Sequence, residues 1–192
     1  MSSPPQPRIP PEEYLTLERR SEGRSEYVNG QVYAMTGASR AHNLIVWNIA
    51  GELRERFRGR PCEAYVSDMR VKVDPTGLYT YPDVAALCGE PRFEDAEVDT
   101  LLNPAVIIEV LSPSTEAYDR GEKFAHYRRL ASLTEYVLLA QDRARAERYV
   151  RQGEGWVLTE ISEPDGVLPL DALGCAVALR ELYERVAFSE GD

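Results

Sequence analysis

The spacing of apolar and polar positions changes repeatedly along the chain, and each change marks an element. Between Ser39 and Phe57, the residues Val46, Ile49, Ala50, Leu53 and Phe57 recur at three and four, which predicts one long amphipathic helix. Before it, Glu26-Tyr27-Val28 and residues 31–35 flank Asn29-Gly30, a pair suited to the positive-φ positions of a type I′ turn, so a β-hairpin is expected. Pro10-Pro11-Glu12-Glu13, followed by Tyr14, Leu15 and Leu17, reads as a short helix ending near residues 21–23. Strands are expected at 63–66, 69–73 and 79–87, with Asp74-Pro75-Thr76-Gly77 as a turn, and residues 89–104 read as loop. Residues 105–111 form a nearly continuous apolar run, the pattern of a central strand covered on both faces. Ser112-Pro113-Ser114-Thr115 then offers caps for a helix running to about Leu130, and 135–139 is the next buried strand. Residues 145–150, 156–161 and 168–186 read as added strands and a closing element.

This order predicts an α/β (α+β) fold, a mixed central sheet flanked by helices with an added N-terminal hairpin and C-terminal strands. One domain spanning 10–188 is expected between a Pro-rich tail at 1–9 and a short tail at 189–192.

Composition narrows the function. With 32 acidic against 22 basic residues, the net charge of −10 disfavours a protein that coats nucleic acid non-specifically, so any such contact must be local. Residues such as Arg70, Arg128 and Arg129 are candidates to line it. No signal-peptide pattern and no apolar run long enough to span a bilayer is seen, so a cytoplasmic protein without membrane association is expected. Cys62, Cys88 and Cys175 are odd in number and far apart, and read as reduced thiols. All basic residues but Lys72 and Lys123 are arginine, which makes each lysine's position informative.

Within the apolar run, Glu109 is the exception. A charge in a buried central strand is expensive unless paired. Alternation puts Ile107, Glu109 and Leu111 on one face and Val106, Ile108 and Val110 on the other. Asp83, in Tyr81-Pro82-Asp83-Val84, is a second acid among apolar residues. Either acid alone is equally well read as the partner of an arginine; two in adjacent strands would repel, and a divalent cation with oxygen ligands would relieve that repulsion.

Pro82-Asp83 followed by Glu109-Val110-Leu111 resembles the PD-(D/E)XK signature of restriction-endonuclease-like nucleases, with Leu111 in place of the signature lysine. The wider pattern, from Glu26-Tyr27-Val28-Asn29-Gly30 through residues 109–115 to Asp119, Lys123 and Tyr127, is similar to the Uma-type restriction endonucleases of that superfamily, in which the lysine moves to the following helix. The resemblance covers roughly residues 10 to 185. It implies a metal-dependent endonuclease cleaving DNA phosphodiesters, with Asp83, Glu109 and Lys123 catalytic. It also implies Mg²⁺ or Mn²⁺ held by Asp83, Glu109 and the Val110 main-chain carbonyl, with Glu26 as a further metal contact, and a homodimer. Geometry agrees on the lysine: if the helix doubles back, Lys123 lies ~12 Å along its axis and Glu109 roughly 7 Å back along the strand, a gap its side chain can close. Asp119, Lys123 and Tyr127 would share one helix face.

Two alternatives stay open on the sequence: a catalytically inactive nuclease-fold binding or assembly module, and a hydrolase of small phosphoesters. His42, near the start of the long helix, could face the site, but a lone histidine there is more often a cap or core residue, so it is left out of the site.

Overall fold

The computed structural model describes residues 8–35, 37–163 and 165–188; the expected tail at 189–192 and most of the one at 1–9 lie outside them. Helix α1 (Pro11–Glu18) begins with proline in its first turn and acids beside its N-terminus, as the sequence predicts. It is shorter than expected. The hairpin of β1 (Ser25–Val28) and β2 (Gln31–Ala34) turns at Asn29 and Gly30, with φ of 50° and 90°, the two positive angles of the predicted type I′ turn.

Helix α2 (Arg40–Arg56) is capped by the Ser39 hydroxyl, which accepts the His42 N–H, and ends in arginines that suit the helix dipole. Its buried stripe, Ile45, Val46, Ile49 and Leu53, adds Ile45 to the predicted one and continues to the buried Phe57 at the C-cap, while the predicted Ala50 is half-buried.

Among the described residues, thirteen strands form three sheets. The largest has the order β11-β10-β9-β8-β6-β3, built from β3 (Cys62–Val66), β6 (Val84–Cys88), β8 (Val106–Val110), β9 (Glu135–Leu139), β10 (Ala146–Gln152) and β11 (Gly155–Ile161). Strands β8 and β9 run parallel and the other neighbours antiparallel, so the sheet is mixed. The expected central strand lies between the two expected neighbours, with Val84 opposite Ile108 and Ile108 opposite Val137. A second sheet has the order β2-β1-β5-β4-β7, adding β4 (Arg70–Val73), β5 (Leu78–Thr80) and β7 (Thr100–Leu101). The two-residue β7 was not legible in the loop-like 89–104. Strands β12 (Val167–Leu170) and β13 (Cys175–Ala178) form a small ribbon, followed by α5 (Leu179–Leu182).

The large sheet is covered on both faces, as the continuous apolar run of β8 requires. On one side Val106, Ile108 and Val110 pack with Ile45, Ile49 and Leu53 of α2 and with Val177, Leu179 and Leu182. On the other, Ile107 and Leu111 pack with Leu78, Leu101, Phe124, Tyr127 and Tyr136. Glu109 belongs by alternation to this second face.

Three expectations are corrected. The strand expected at 79–87 is broken: β5 belongs to the small sheet and β6 to the large one. Pro82 lies in the break, where its missing N–H leaves no ladder bond to lose. The helix expected from Thr115 to Leu130 consists of α3 (Glu116–Tyr118), a π-helical turn (Asp119–Lys123) and α4 (Phe124–Tyr127). Cys62 and Cys88, expected to be reduced, are joined in a disulfide. They are 26 residues apart in sequence, but the antiparallel pairing of β3 and β6 places them directly opposite each other. Cys175 is free.

Ile108 is fully buried at the middle of β8. Ile108→Ala should therefore remove about 2–5 kcal/mol of stability through lost burial and a residual cavity. Denaturant titration checks this by a lower midpoint at unchanged slope.

Candidate active site

The break at Pro82 determines where Asp83 points. At the start of β6, its main-chain O accepts the Ser67 N–H at 3.0 Å, while its side chain reaches across to β8. There Asp83 Oδ2 accepts the Val110 N–H at 2.7 Å, and the Asp83 N–H donates to Glu109 Oε2 at 3.2 Å. The two acids are thus latched together by main-chain amides.

The π turn determines where Lys123 points. Tyr136, on β9, donates its hydroxyl to the Asp119 carbonyl at 3.0 Å, tying the start of the turn to the sheet. A π turn inserts extra backbone into a helix and often marks a functional site. Here it ends at Lys123, whose Nζ lies 2.9 Å from Glu109 Oε1, 3.2 Å from Glu26 Oε1 and 3.7 Å from Asp119 Oδ1. The side chain is 6% exposed. One turn on, Tyr127 donates its hydroxyl to Glu109 Oε1 at 2.9 Å. Asp119, Lys123 and Tyr127 therefore act on one face, as their spacing predicts, and Leu111 sits in the apolar cluster beside them.

The structure brings Asp83, Glu109, Lys123 and Glu26 together. Glu26, expected as a metal contact, is held by the Thr80 hydroxyl, by Tyr118 at 3.1 Å and by the lysine, so its carboxylate faces Lys123. All four line one open cavity of about 840 Å³, with Val110, Asp119, Ser112, Ser114 and Thr115. The arginines expected there are elsewhere. Arg70 is buried between Thr100, Tyr81 and Asp99, and Arg128 and Arg129 are exposed beyond α4 and away from the cavity lining. Arg24, paired with Asp68 at 3.2 Å, is the lining arginine among the described residues.

His42 is the site residue that sequence reasoning passed over. Its Nε2 lies 3.2 Å from Asp83 Oδ2, and it lines the same cavity. A polar residue three after a serine cap is on the first turn of its helix; only the tertiary fold shows that this turn abuts Asp83.

Charge dominates the site's electrostatics. Burial pushes the Glu109 carboxyl up to about 8; Lys123 opposes this, while Asp83 and Asp119 add to it. Burial likewise raises Asp119, against the pull of Lys123. For Lys123, burial works against the ammonium, but Glu109, Glu26 and Asp119 outweigh it and the net direction is up. Three carboxylates thus share one lysine, with Asp83 beside Glu109 as a fourth acid, an arrangement that draws in further positive charge.

The donor set suits a hard divalent cation. Asp83 and Glu109 supply carboxylate oxygens next to the main chain of Val110, and the open cavity leaves room for water or phosphate oxygens. Among the described residues, no three His, Cys, Asp or Glu side chains converge as a metal-binding group. An ion held by Asp83 and Glu109 would therefore draw the rest of its shell from further donors, main-chain or water oxygens among them.

A family model described as "Uma2: Putative restriction endonuclease" matches residues 11–180. The Synechocystis sp. protein slr1290, described as uncharacterized, is 35% identical over 187 residues, covering 97% of each chain. A second, sll1609, also uncharacterized, is 37% identical over 150 residues, 78% of this chain and 85% of that one. The crystal structure of a "putative nuclease belonging to DUF820" from Anabaena variabilis superposes with a TM-score of 0.74 over 93% of this chain and 99% of that chain. At 20% identity, this likeness shows a shared fold.

The raised carboxyls set a pH dependence. Glu109 ionises near 4.5 in the unfolded chain but at about 8 in the fold, so its contribution to stability is complete below about 4.5 and is lost as pH rises to about 8. Metal-free protein should therefore show a falling denaturation midpoint between pH 5 and 8. Glu109→Gln should flatten that fall, and an equally steep fall in the variant would assign it to other groups.

Proposed function

The chain belongs to the Uma2 family, and from that membership and the site geometry we propose that it is a Mg²⁺- or Mn²⁺-dependent endonuclease that hydrolyses DNA phosphodiester bonds. The observation that carries this reading is the excess of buried carboxylates around Lys123, with Asp83 and Glu109 latched side by side at the cavity. A structural ion pair needs one acid per base. A surplus of acids facing an open cavity suits a site completed by a cation and a phosphate.

In this reading Asp83, Glu109 and the Val110 carbonyl hold the ion. When bound, the ion supplies Lewis acidity and offsets negative charge on the phosphate. Lys123 is the catalytic cation. Its ammonium orients the attacking water or donates to a non-bridging oxygen as that oxygen gains charge. Glu26 and Asp119 keep it protonated, and Tyr127 holds the Glu109 carboxylate from the other side. The lysine slot of the signature, at Leu111, stays apolar because the π turn delivers the cation from the helix side.

Attack of water oxygen on phosphorus forms one P–O bond and breaks another. It leaves a phosphate monoester and an alcohol, with the water proton passing to solvent and the leaving oxygen taking one back. With Arg24 as the lining arginine and a net charge of −10, substrate binding should be modest and salt-sensitive. A homodimer would present one such site to each strand of a duplex.

The test is cleavage of supercoiled plasmid and of labelled duplex with Mg²⁺ or Mn²⁺. Lys123→Ala should lower kcat about 10²-fold or more while KM changes only a few-fold, because the interaction strengthens mainly in the transition state. Asp83→Asn should abolish metal-stimulated turnover. Cleavage by Lys123→Ala at the parent's rate, or no cleavage by the parent with either ion, overturns the reading.

A further inference from the structure

His42 is absent from the machinery described so far, yet the structure places it against Asp83. The first turn of α2 holds it there. Ser39 Oγ accepts the His42 N–H at 3.1 Å and donates to Gln141 Oε1 at 2.7 Å, which ties the helix start to the residues just after β9. The imidazole is 15% exposed. Its Nδ1 is buried without a partner among the described residues, while Nε2 stands 3.2 Å from Asp83 Oδ2 at the cavity wall.

Two ligands at right angles on a small divalent ion stand about 3 Å apart. The separation of Nε2 and Oδ2 matches that spacing. An imidazole beside a carboxylate, opening on a cavity rich in negative charge, is a mixed nitrogen and oxygen donor pair. Such a pair holds first-row transition ions better than it holds Mg²⁺, which favours all-oxygen shells and keeps its waters.

We propose that His42 Nε2 is a direct ligand of the divalent ion alongside Asp83, and that it shifts the site's preference from Mg²⁺ towards Mn²⁺. The inference rests on the endonuclease reading only for the presence of an ion at Asp83. It adds a nitrogen ligand that the Uma-type pattern quoted above does not contain. Nδ1 then carries the ring proton.

The experiment is Mn²⁺ binding to the full chain, followed by paramagnetic resonance without substrate. The expected spectrum shows a directly bound nitrogen. Incorporation of ¹⁵N-histidine should change that coupling, and the chain's other histidine, His126, does not line the cavity. His42→Ala should remove the coupling and weaken Mn²⁺ binding about tenfold or more, with a change of about twofold or less for Mg²⁺ measured by competition. Mn²⁺ bound with no histidine nitrogen coupling overturns this proposal alone and leaves His42 as a hydrogen-bond donor to Asp83. Absence of any Mn²⁺ binding by the parent overturns both this proposal and the metal-dependent reading. If His42→Ala misfolds, the labelled parent still decides the question.

Discussion

A carboxylate in the middle of a central strand is the constraint around which this molecule is arranged. Glu109 sits between Ile107 and Leu111 on a face that otherwise packs tyrosine, phenylalanine and leucine. Water cannot solvate it there, so the charge must be met by protein groups or by an ion. Three elements that approach this face each supply a group to it. The start of β6 brings the Asp83 N–H, the π turn brings Lys123 and α4 brings the Tyr127 hydroxyl. Those groups are themselves anchored, Lys123 through Glu26 on β1 and Asp119 through its carbonyl to Tyr136. Removing Glu109 would take a partner from Lys123, the Tyr127 hydroxyl and the Asp83 N–H at once.

Two local irregularities make this convergence possible, and each has a residue-level cause. Proline at 82 ends one strand and lets the chain pass from the small sheet to the large one, which turns Asp83 towards β8. The π turn lengthens the helical segment relative to a regular helix, and it ends at the residue that must reach the acids. Regular structure alone would have put Asp83 in a ladder and Lys123 on a continuous helix face.

The long-range features were legible because they follow from periodicity. The α2 stripe, the Asn29-Gly30 turn and the two faces of β8 could each be read from spacing, whereas its place between β6 and β9 followed from requiring the two acids to meet. Asp83, Glu109 and Lys123 were legible as charges or a rare lysine in the wrong surroundings, and the structure brings all three together. What stayed hidden depends on tertiary pairing. The cross-strand position of Cys62 and Cys88 exists only once β3 pairs with β6, and the contact of His42 with Asp83 only once α2 packs on the sheet. Arg70, Arg128 and Arg129 misled because a list of cations says nothing of direction: Arg70 turns inward to Tyr81 and Asp99, and the other two lie beyond the helix end.

The misplacement of those arginines bears on how the site gathers a polyanion. A cavity lined by Glu26, Asp68, Asp83, Glu109 and Asp119 against Arg24 and Lys123 repels phosphate on its own. Lys123 is already surrounded by acids and Arg24 is engaged by Asp68, so neither is free to capture a strand from solution. Under the proposed metal-dependent reading, phosphate affinity at this wall would come from a cation held by Asp83 and Glu109, which would couple substrate binding to occupancy of the acid cluster. In that reading, a cluster poor in built-in positive charge would make the ion a condition of binding as well as of chemistry. In such a site the choice of ion, and the side chains that make that choice, control both steps at once.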